Sequence, residues 1–328
     1  MTTVEQPSGT RRRRGRTAIY NYAVLIALLF LIVVFSLISP STFPTIGNVR
    51  AIVNSQGVLL ILALALTMPV ISGDFDLSVG FNMGFAGTLV AAFSGVLGWP
   101  DWAAIGATLL VAALVGLVNG WLIVSLGIDA FIATLASGTV LGGLTLYVSN
   151  GSILTTVPGS LGDFAQTKLP FIGIATPALV GFALAIALWY VYEHTPVGRW
   201  LYFVGEGREA ARLTGLPVNS LRIAAFVGSG LVSGLAGLLL TGELGGMSPA
   251  VGPTFLLPAY AACFLGATTI KPGRVNAIGT VVGLYLLVVG VTGLELLGVE
   301  SWVEQVFNGV ALIVAVAFAR LVSTDQLA

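Results

Sequence analysis

Ten continuous apolar runs divide this chain, and each approaches the ~20 residues that a helix needs to cross the hydrocarbon of a bilayer. They lie at approximately 18–38, 49–71, 79–97, 102–124, 130–148, 171–192, 223–241, 254–270, 275–294 and 302–319. Charged residues make up 9% of the chain, against roughly 25% in a soluble domain, and the mean hydropathy is +0.99. A water-soluble protein of 328 residues has no interior large enough to hide so much apolar surface. The runs do not alternate as barrel strands would over about ten residues, so helices are expected. The expectation is an all-α polytopic integral membrane protein with about ten transmembrane helices and both termini cytoplasmic.

The placement of charge supports that count. With the N-terminus inside and ten crossings, the inner side holds Arg11 to Arg14, Arg16, Arg199, Arg208, Arg212, Arg222, Lys271, Arg274 and Arg320. The outer side holds Arg50 and Lys168, so the ratio is twelve to two, as the excess of cytoplasmic Lys and Arg requires. Dropping one crossing from the first half would put the basic segment 195–222 outside. Trp99, Trp102 and Trp302 fall at expected outer boundaries, where aromatic belts form. Residues 1–17 read as a disordered basic cytoplasmic tail, 18–320 as the membrane domain with an inner loop at 193–222, and 321–328 as a cytoplasmic tail. The first apolar run exceeds the ~7–15 residues of a signal peptide core, and no small-residue cleavage site follows it. The segment 149–170, with Gly151, Pro158 and Gly162, reads as the longest outer loop.

Three polar segments interrupt the apolar pattern. The first is SGDFDLSVG at 72–80, which sets Asp74 and Asp76 beside apolar spans. One reading is a polar break between helices, with Gly73 permitting an irregular backbone and Asp76 or Ser78 capping the next helix. The other is a substrate or gate contact at a discontinuous helix. The second segment is the 28-residue stretch 195–222, four of whose residues are arginines. Within it, 208–214 followed by Gly215 reads as a short helix with a glycine stop. Arg208 and Arg212 are four apart and share a face, while Ala210, Ala211 and Leu213 offer small apolar contacts. Docking of a cytoplasmic partner and an amphipathic loop lying on lipid headgroups both fit. The third segment, GGMSPAVGPTFLLP at 245–258, reads as a broken helix or as an ordinary loop. The turn KPGR at 271–274 anchors topology. The glycine pairs Gly116/Gly120, Gly230/Gly234 and Gly279/Gly283 sit one turn apart and point to close helix packing.

Several chemistries are missing. A P-loop needs Gly-Lys, and the two lysines, Lys168 and Lys271, follow Thr167 and Ile270. There is no H-E-x-x-H and no G-x-S-x-G. One His, His194, and one Cys, Cys263, cannot build a typical His/Cys metal site. No catalytic residue and no metal ligand is expected, and any ATP that drives this chain is hydrolysed by another.

Four stretches together resemble a known family. GDFDLSVG at 73–80 matches a G-x-x-DLS-x-G pattern, and DAFIATLASGTVLGGLTLYVSNG at 129–151 resembles the family's FIATL…G…NG span. TPVGR…G…EAARLTGLPVNSLRIAAFVGSGLVSGLAGLLL at 195–240 and FLGATTIKPGRVNAIGTVVG at 264–283 resemble its coupling loop with the following helix and its glycine-rich span. Over about residues 20–320 the chain is similar to permease subunits of ribose-type monosaccharide ABC importers, in the branched-chain amino acid and sugar permease superfamily. It departs from the family at Ala130, where Pro is frequent, and at Gly73-Asp74-Phe75-Asp76, where an acid is added to Gly-Gly-Ile-Asp. Stretch 266–271 also lacks some of the family's glycines.

The resemblance implies a subunit that moves a small polar solute, most often a monosaccharide, across the cell membrane. It implies a cytoplasmic ATP-binding cassette ATPase that binds ATP and Mg, an extracytoplasmic solute-binding protein and a permease homodimer in the lipid bilayer. No nucleic-acid partner is expected. ATPase coupling is assigned to Thr195, Gly198, Arg199, Gly205, Arg208, Glu209, Ala210, Ala211 and Gly215, with 125–129 as a smaller second contact. Asp74, Phe75, Asp76, Ser78, Phe131 and Asn150 are candidates for the translocation path or gate. An ion-coupled secondary transporter using Asp74 and Asp76 is the alternative, and a membrane-embedded enzyme is a third class without motif support.

Overall fold

The computed structural model describes residues 22–300 and 302–325, so the basic tail at 1–17 and residues 326–328 lie outside the described part. Fifteen helices are described: α1 (Ala23–Ile38), α2 (Ile46–Ser55), α3 (Gly57–Ile71), α4 (Val79–Gly95), α5 (Asp101–Val124), α6 (Ala130–Ser149), α7 (Gly159–Gln166), α8 (Thr176–His194), α9 (Pro196–Glu206), α10 (Arg208–Leu213), α11 (Val218–Leu244), α12 (Val251–Thr254), α13 (Leu256–Gly266), α14 (Ala277–Leu296) and α15 (Trp302–Asp325). No strand occurs among the described residues; extended pairing is limited to the isolated bridges Leu154–Met247 and Lys168–Ala175.

α5, α6, α8, α11 and α14 are each long and apolar enough to cross a membrane, and α2 with α3 adds a sixth crossing if the pair, bent by 45°, is one span. Shorter apolar helices occupy 23–38, 79–95, 251–266 and 302–314. The chain is an all-α membrane protein.

Two helices organise the bundle. α3 reads GVLLILALALTMPVI, apolar on every face, and a helix of that kind is stable only when surrounded. Every residue from 60 to 66 is fully buried. α11, 27 residues long, packs along α5, α4 and α3. Its glycines let the axes close in: a Cβ on Gly230 would sit 2.5 Å from the Ala112 carbonyl, and one on Gly116 would sit 2.2 Å from that of Phe226. These spacings therefore serve packing within the chain. Asn82 on α4 ties the trio together, donating to Gly230 O at 3.0 Å, Ser233 Oγ at 2.9 Å and Ala112 O at 3.3 Å. At the periphery, α6 contacts α4 and α5 and leaves Ile132, Leu135, Val140 and Leu144 exposed, as a face turned to lipid would.

Two expectations change, and one open reading is decided. Segment 149–170 is not simply a loop, because α7 forms within it and packs against α11, with Leu161 and Ala165 buried. In segment 245–258 the broken-helix reading holds from Val251 on: α12 and α13 follow one another with a turn at Phe255, whose N–H bonds Gly252 O at 3.2 Å, while 245–250 stays non-helical. The segment 195–222 holds two helices rather than one, since α9 precedes the expected short helix.

Candidate functional site

α9 and α10 lie across one end of the bundle, called here the loop end. α9 starts because Thr195 caps it, its hydroxyl accepting from Gly198 N at 3.3 Å, with Pro196 in the first helical position. Gly198 sits in the tight α8–α9 turn, where a Cβ would meet Tyr192 Cα at 2.4 Å. α9 ends at Gly207, α10 runs for six residues, and Gly215 at φ +81° turns the chain into α11. Gly205 is required by contact: a Cβ there would lie 2.0 Å from the carbonyl oxygen of Ile71, the last residue of α3.

That approach brings α10 onto the break between α3 and α4. Asp74 in the break is 3% exposed. Its Oδ2 accepts from Arg222 Nε at 2.7 Å, and its Oδ1 accepts from Arg222 Nη2 and from Arg208 Nη2, both at 2.8 Å. Arg208 Nη2 also donates to Gly73 O at 2.8 Å. Gly73 has φ +81°, a left-handed conformation that glycine adopts without a Cβ clash. The Asp74–Arg222 fork is bidentate and buried, with Arg222 6% exposed, while the Arg208 side chain reaches in from the surface.

Two residues on, Asp76 is also buried but meets no cation among the described residues. Its Oδ1 accepts from Ser78 N at 3.1 Å and Ser78 Oγ at 2.6 Å, and its Oδ2 accepts from Ser229 Oγ at 2.9 Å. Its backbone N–H donates to the Tyr260 hydroxyl at 2.9 Å, and Asn119 Nδ2 donates to Ser78 Oγ at 2.8 Å. Neither Asp76 nor Ser78 caps α4 by the expected side-chain bond, because each is engaged with the other. Leu77 N donates to Thr134 Oγ1 on α6 at 3.0 Å. Between them, seven residues of broken helix therefore bond to α5, α6, α10, α11 and α13. Phe75, 45% exposed, lies beside Tyr260 and Phe264, with ring centroids 6.5 and 6.1 Å away.

The other end of the α9 segment is held as well. Glu193 pairs with Lys271 and Glu206 with Arg274, whose guanidinium lies 5.6 Å from the centre of the Tyr202 ring. Tyr202 OH donates to Val275 O at 2.7 Å. The KPGR turn is thus one wall of the α9 seat.

Of the expected coupling residues, Glu209 and Ala210 are exposed, as is Leu213 at 89%. Arg212 stays on the surface, bonded to Glu209 at 2.7 Å, while Arg208 turns inward, so the two arginines do not act as one face. Ala211 is fully buried, so it anchors α10 instead of presenting it. Arg199 is exposed. Of the expected gate residues, Asp74, Phe75, Asp76 and Ser78 gather at the loop end, and Phe131 lies in the first turn of α6 at the same end, its N–H donating to the capping Asp129 at 3.0 Å. Asn150 closes α6 at the opposite end, in the left-handed conformation with φ 49°, and does not join them. Arg222, Ser229, Asn119 and Tyr260 were missed. Arg222 carried a signal, because an arginine within an apolar helix needs an acid partner. α11 begins at Val218 and not at 223, which places Arg222 inside the helix.

The short surface helix α10 is thus seated on a broken-helix hub within a bundle of helices long enough to cross a membrane. The chain belongs to the family described as branched-chain amino acid transport system / permease component, whose model matches residues 48–316. It is 32% identical to the ribose import permease protein RbsC of Escherichia coli (strain K12) over 317 residues, covering 96% of this chain and 98% of that protein. It is also 32% identical to the protein of the same name from Bacillus subtilis (strain 168), covering 90% and 91%. The xylose transport system permease protein XylH of Escherichia coli (strain K12) is 25% identical, with 90% of each chain covered.

Proposed function

We infer that this chain is the membrane-spanning permease subunit of an ATP-binding cassette importer in the cell membrane, and that its cargo is a small polar solute, a monosaccharide. The observation that carries the reading is similarity to sugar permeases over nearly the whole chain, joined to an exposed α10 anchored on the α3–α4 break. A solute-binding protein delivers cargo from outside, a cytoplasmic ATPase binds ATP and Mg, and two copies of the chain flank the path. The loop end then faces the cytoplasm, where the positive-inside distribution puts it.

In this arrangement Glu209, Ala210 and Leu213 meet the ATPase. Arg208 on the inward side of α10 and Arg222 on α11 share Asp74, so displacement of α10 pulls on the α3–α4 break. The break in turn bonds to α6 through Thr134 and to α13 through Tyr260, so several spans feel the movement. ATP binding favours one arrangement of these spans and hydrolysis the other, a population shift driven by differential contacts. Phe75, Tyr260 and Phe264 stand as an aromatic gate beside that hub. The ion-coupled alternative is not favoured, because Asp74 is held by two guanidinium groups and Asp76 by two serine hydroxyls.

Purification of the tagged chain from its own membranes in mild detergent tests the reading. A P-loop ATPase and a solute-binding protein are expected to copurify. A chain that isolates alone and transports a monosaccharide when reconstituted alone would overturn it.

A further inference from the structure

A cavity of about 740 Å³ opens at the end of the bundle opposite α10. It lies between the α2–α3 bend, the α12–α13 turn, the end of α14 and the start of α15. Its size is within the ~300–1,000 Å³ of small-molecule sites. Leu59, Phe255 and Leu287 form its apolar wall. Its polar wall brings together Gln56 at the α2–α3 bend, Thr254 on α12, Glu295 on α14, and Glu304, Gln305 and Asn308 on α15. Among the described residues, the side chains of Glu295, Glu304, Gln305 and Asn308 are engaged by no hydrogen bond or ion pair. The backbone adds a further acceptor: Pro258 has no N–H to give to the Thr254 carbonyl one turn before it. Broken helices in membrane bundles expose backbone groups where they line a solute cavity, and here a bend and a turn border the same space.

The chemistry of the lining selects a class of ligand. Carboxylates accept from hydroxyls, and side-chain amides both donate and accept, so adjacent hydroxyls of a sugar find partners on this wall. No Lys or Arg is among the described lining residues, and two carboxylates are, so a carboxylate-bearing solute meets repulsion without a counter-charge.

We propose that this cavity is the chain's solute-receiving site, where Glu295, Glu304, Gln305 and Asn308 bind the hydroxyls of a neutral monosaccharide on the extracytoplasmic side. The side and the ligand class rest on the importer reading. None of these residues belongs to the coupling end, so the site is separable from the machinery that moves it.

The test is uptake of radiolabelled ribose and xylose by cells carrying the complete importer, with wild-type chain, Gln305→Leu or Asn308→Leu, and Asn308→Gln as the conservative variant. The amount of chain in the membrane is measured for each. A site built to bond hydroxyls is expected to lose at least about tenfold in uptake at low sugar when a partner is made apolar, with Asn308→Gln recovering part of it. In parallel, Asn308→Cys supplies an accessible thiol, since Cys263 is buried. A membrane-impermeant thiol reagent applied outside should modify it, and the transported sugar should slow that reaction severalfold. Unchanged uptake in both leucine variants overturns the site and leaves the importer reading standing. Lost uptake with no protection of the thiol by sugar marks a purely structural role and also overturns it. A wild-type importer that moves neither sugar counts against the monosaccharide reading, and the proposed sugar site falls with it.

Discussion

Asp74 accepts three hydrogen bonds from two guanidinium groups in a pocket nearly closed to solvent, and the two arginines are not equivalent. The Arg222 side chain is 7% exposed and depends on Asp74 for its charge, whereas the Arg208 side chain is 39% exposed and partly hydrated. Removing one member of a buried pair strands the other, at about 3–5 kcal/mol, while loss of a half-exposed donor costs about 1 kcal/mol. Asp74→Asn should therefore lower the temperature at which the detergent-solubilised chain loses its monodisperse peak far more than Arg208→Gln does. Equal losses would mean that Arg222 finds another partner and that Asp74 is not the centre of the clamp. Asp76 shows a different solution to the same problem. Two hydroxyls and a backbone N–H satisfy it, and no cation is required.

At the scale of the element, the two faces of α10 have different surroundings, and in the proposed coupling role they do different work. Ala211 faces inward with no exposure, while Glu209, Ala210 and Leu213 face out. Glu209→Lys and Ala210→Trp should leave insertion and basal ATP hydrolysis intact and lower solute uptake about tenfold, the effect of ~1.4 kcal/mol at a docking surface. Ala211→Trp should reduce the amount of folded chain in the membrane instead. ATPase activity and uptake measured on the same vesicles separate these outcomes. Normal uptake by the Glu209 and Ala210 variants would remove α10 from the coupling path. The six-residue α10 is too short to hold itself in water, so its geometry depends on the close approach at Gly205 and on the Arg208–Asp74 pair.

At the scale of the whole molecule, the broken-helix hub and the polar cavity occupy opposite ends of the bundle, connected by α3, α11 and α14. Opposite ends of a membrane bundle face opposite solutions. In intact cells, an impermeant thiol reagent should therefore modify Ser152→Cys from outside and reach Leu213→Cys only after the membrane is opened. Modification of both from the same side would break the assigned orientation. The central position of α3 and α11 also explains why a movement at α10 need not stay local: both helices are packed along most of their length, and packed cores shift between discrete arrangements instead of deforming gradually.

Membrane residence and helical class follow from the sequence alone, because the bilayer demands long apolar runs with internally satisfied backbones and this chain has them. The short helix before Gly215 was legible for a similar reason: a glycine stop is a local signal. α9 was not read out of the polar segment, nor α7 out of the outer loop, because both are amphipathic helices that gain their stability from a neighbouring surface. The two acids of GDFDLS looked alike in sequence, and only tertiary contact separated them, giving Asp74 two arginines from 134 and 148 residues away and giving Asp76 serines and a tyrosine. The polar wall of the far cavity was equally invisible, since Gln56 and Asn308 stand 252 residues apart and nothing local joins them. Periodicity and composition report what one segment does with its own solvent; which distant side chains share a charge or a cavity is decided by how the helices pack.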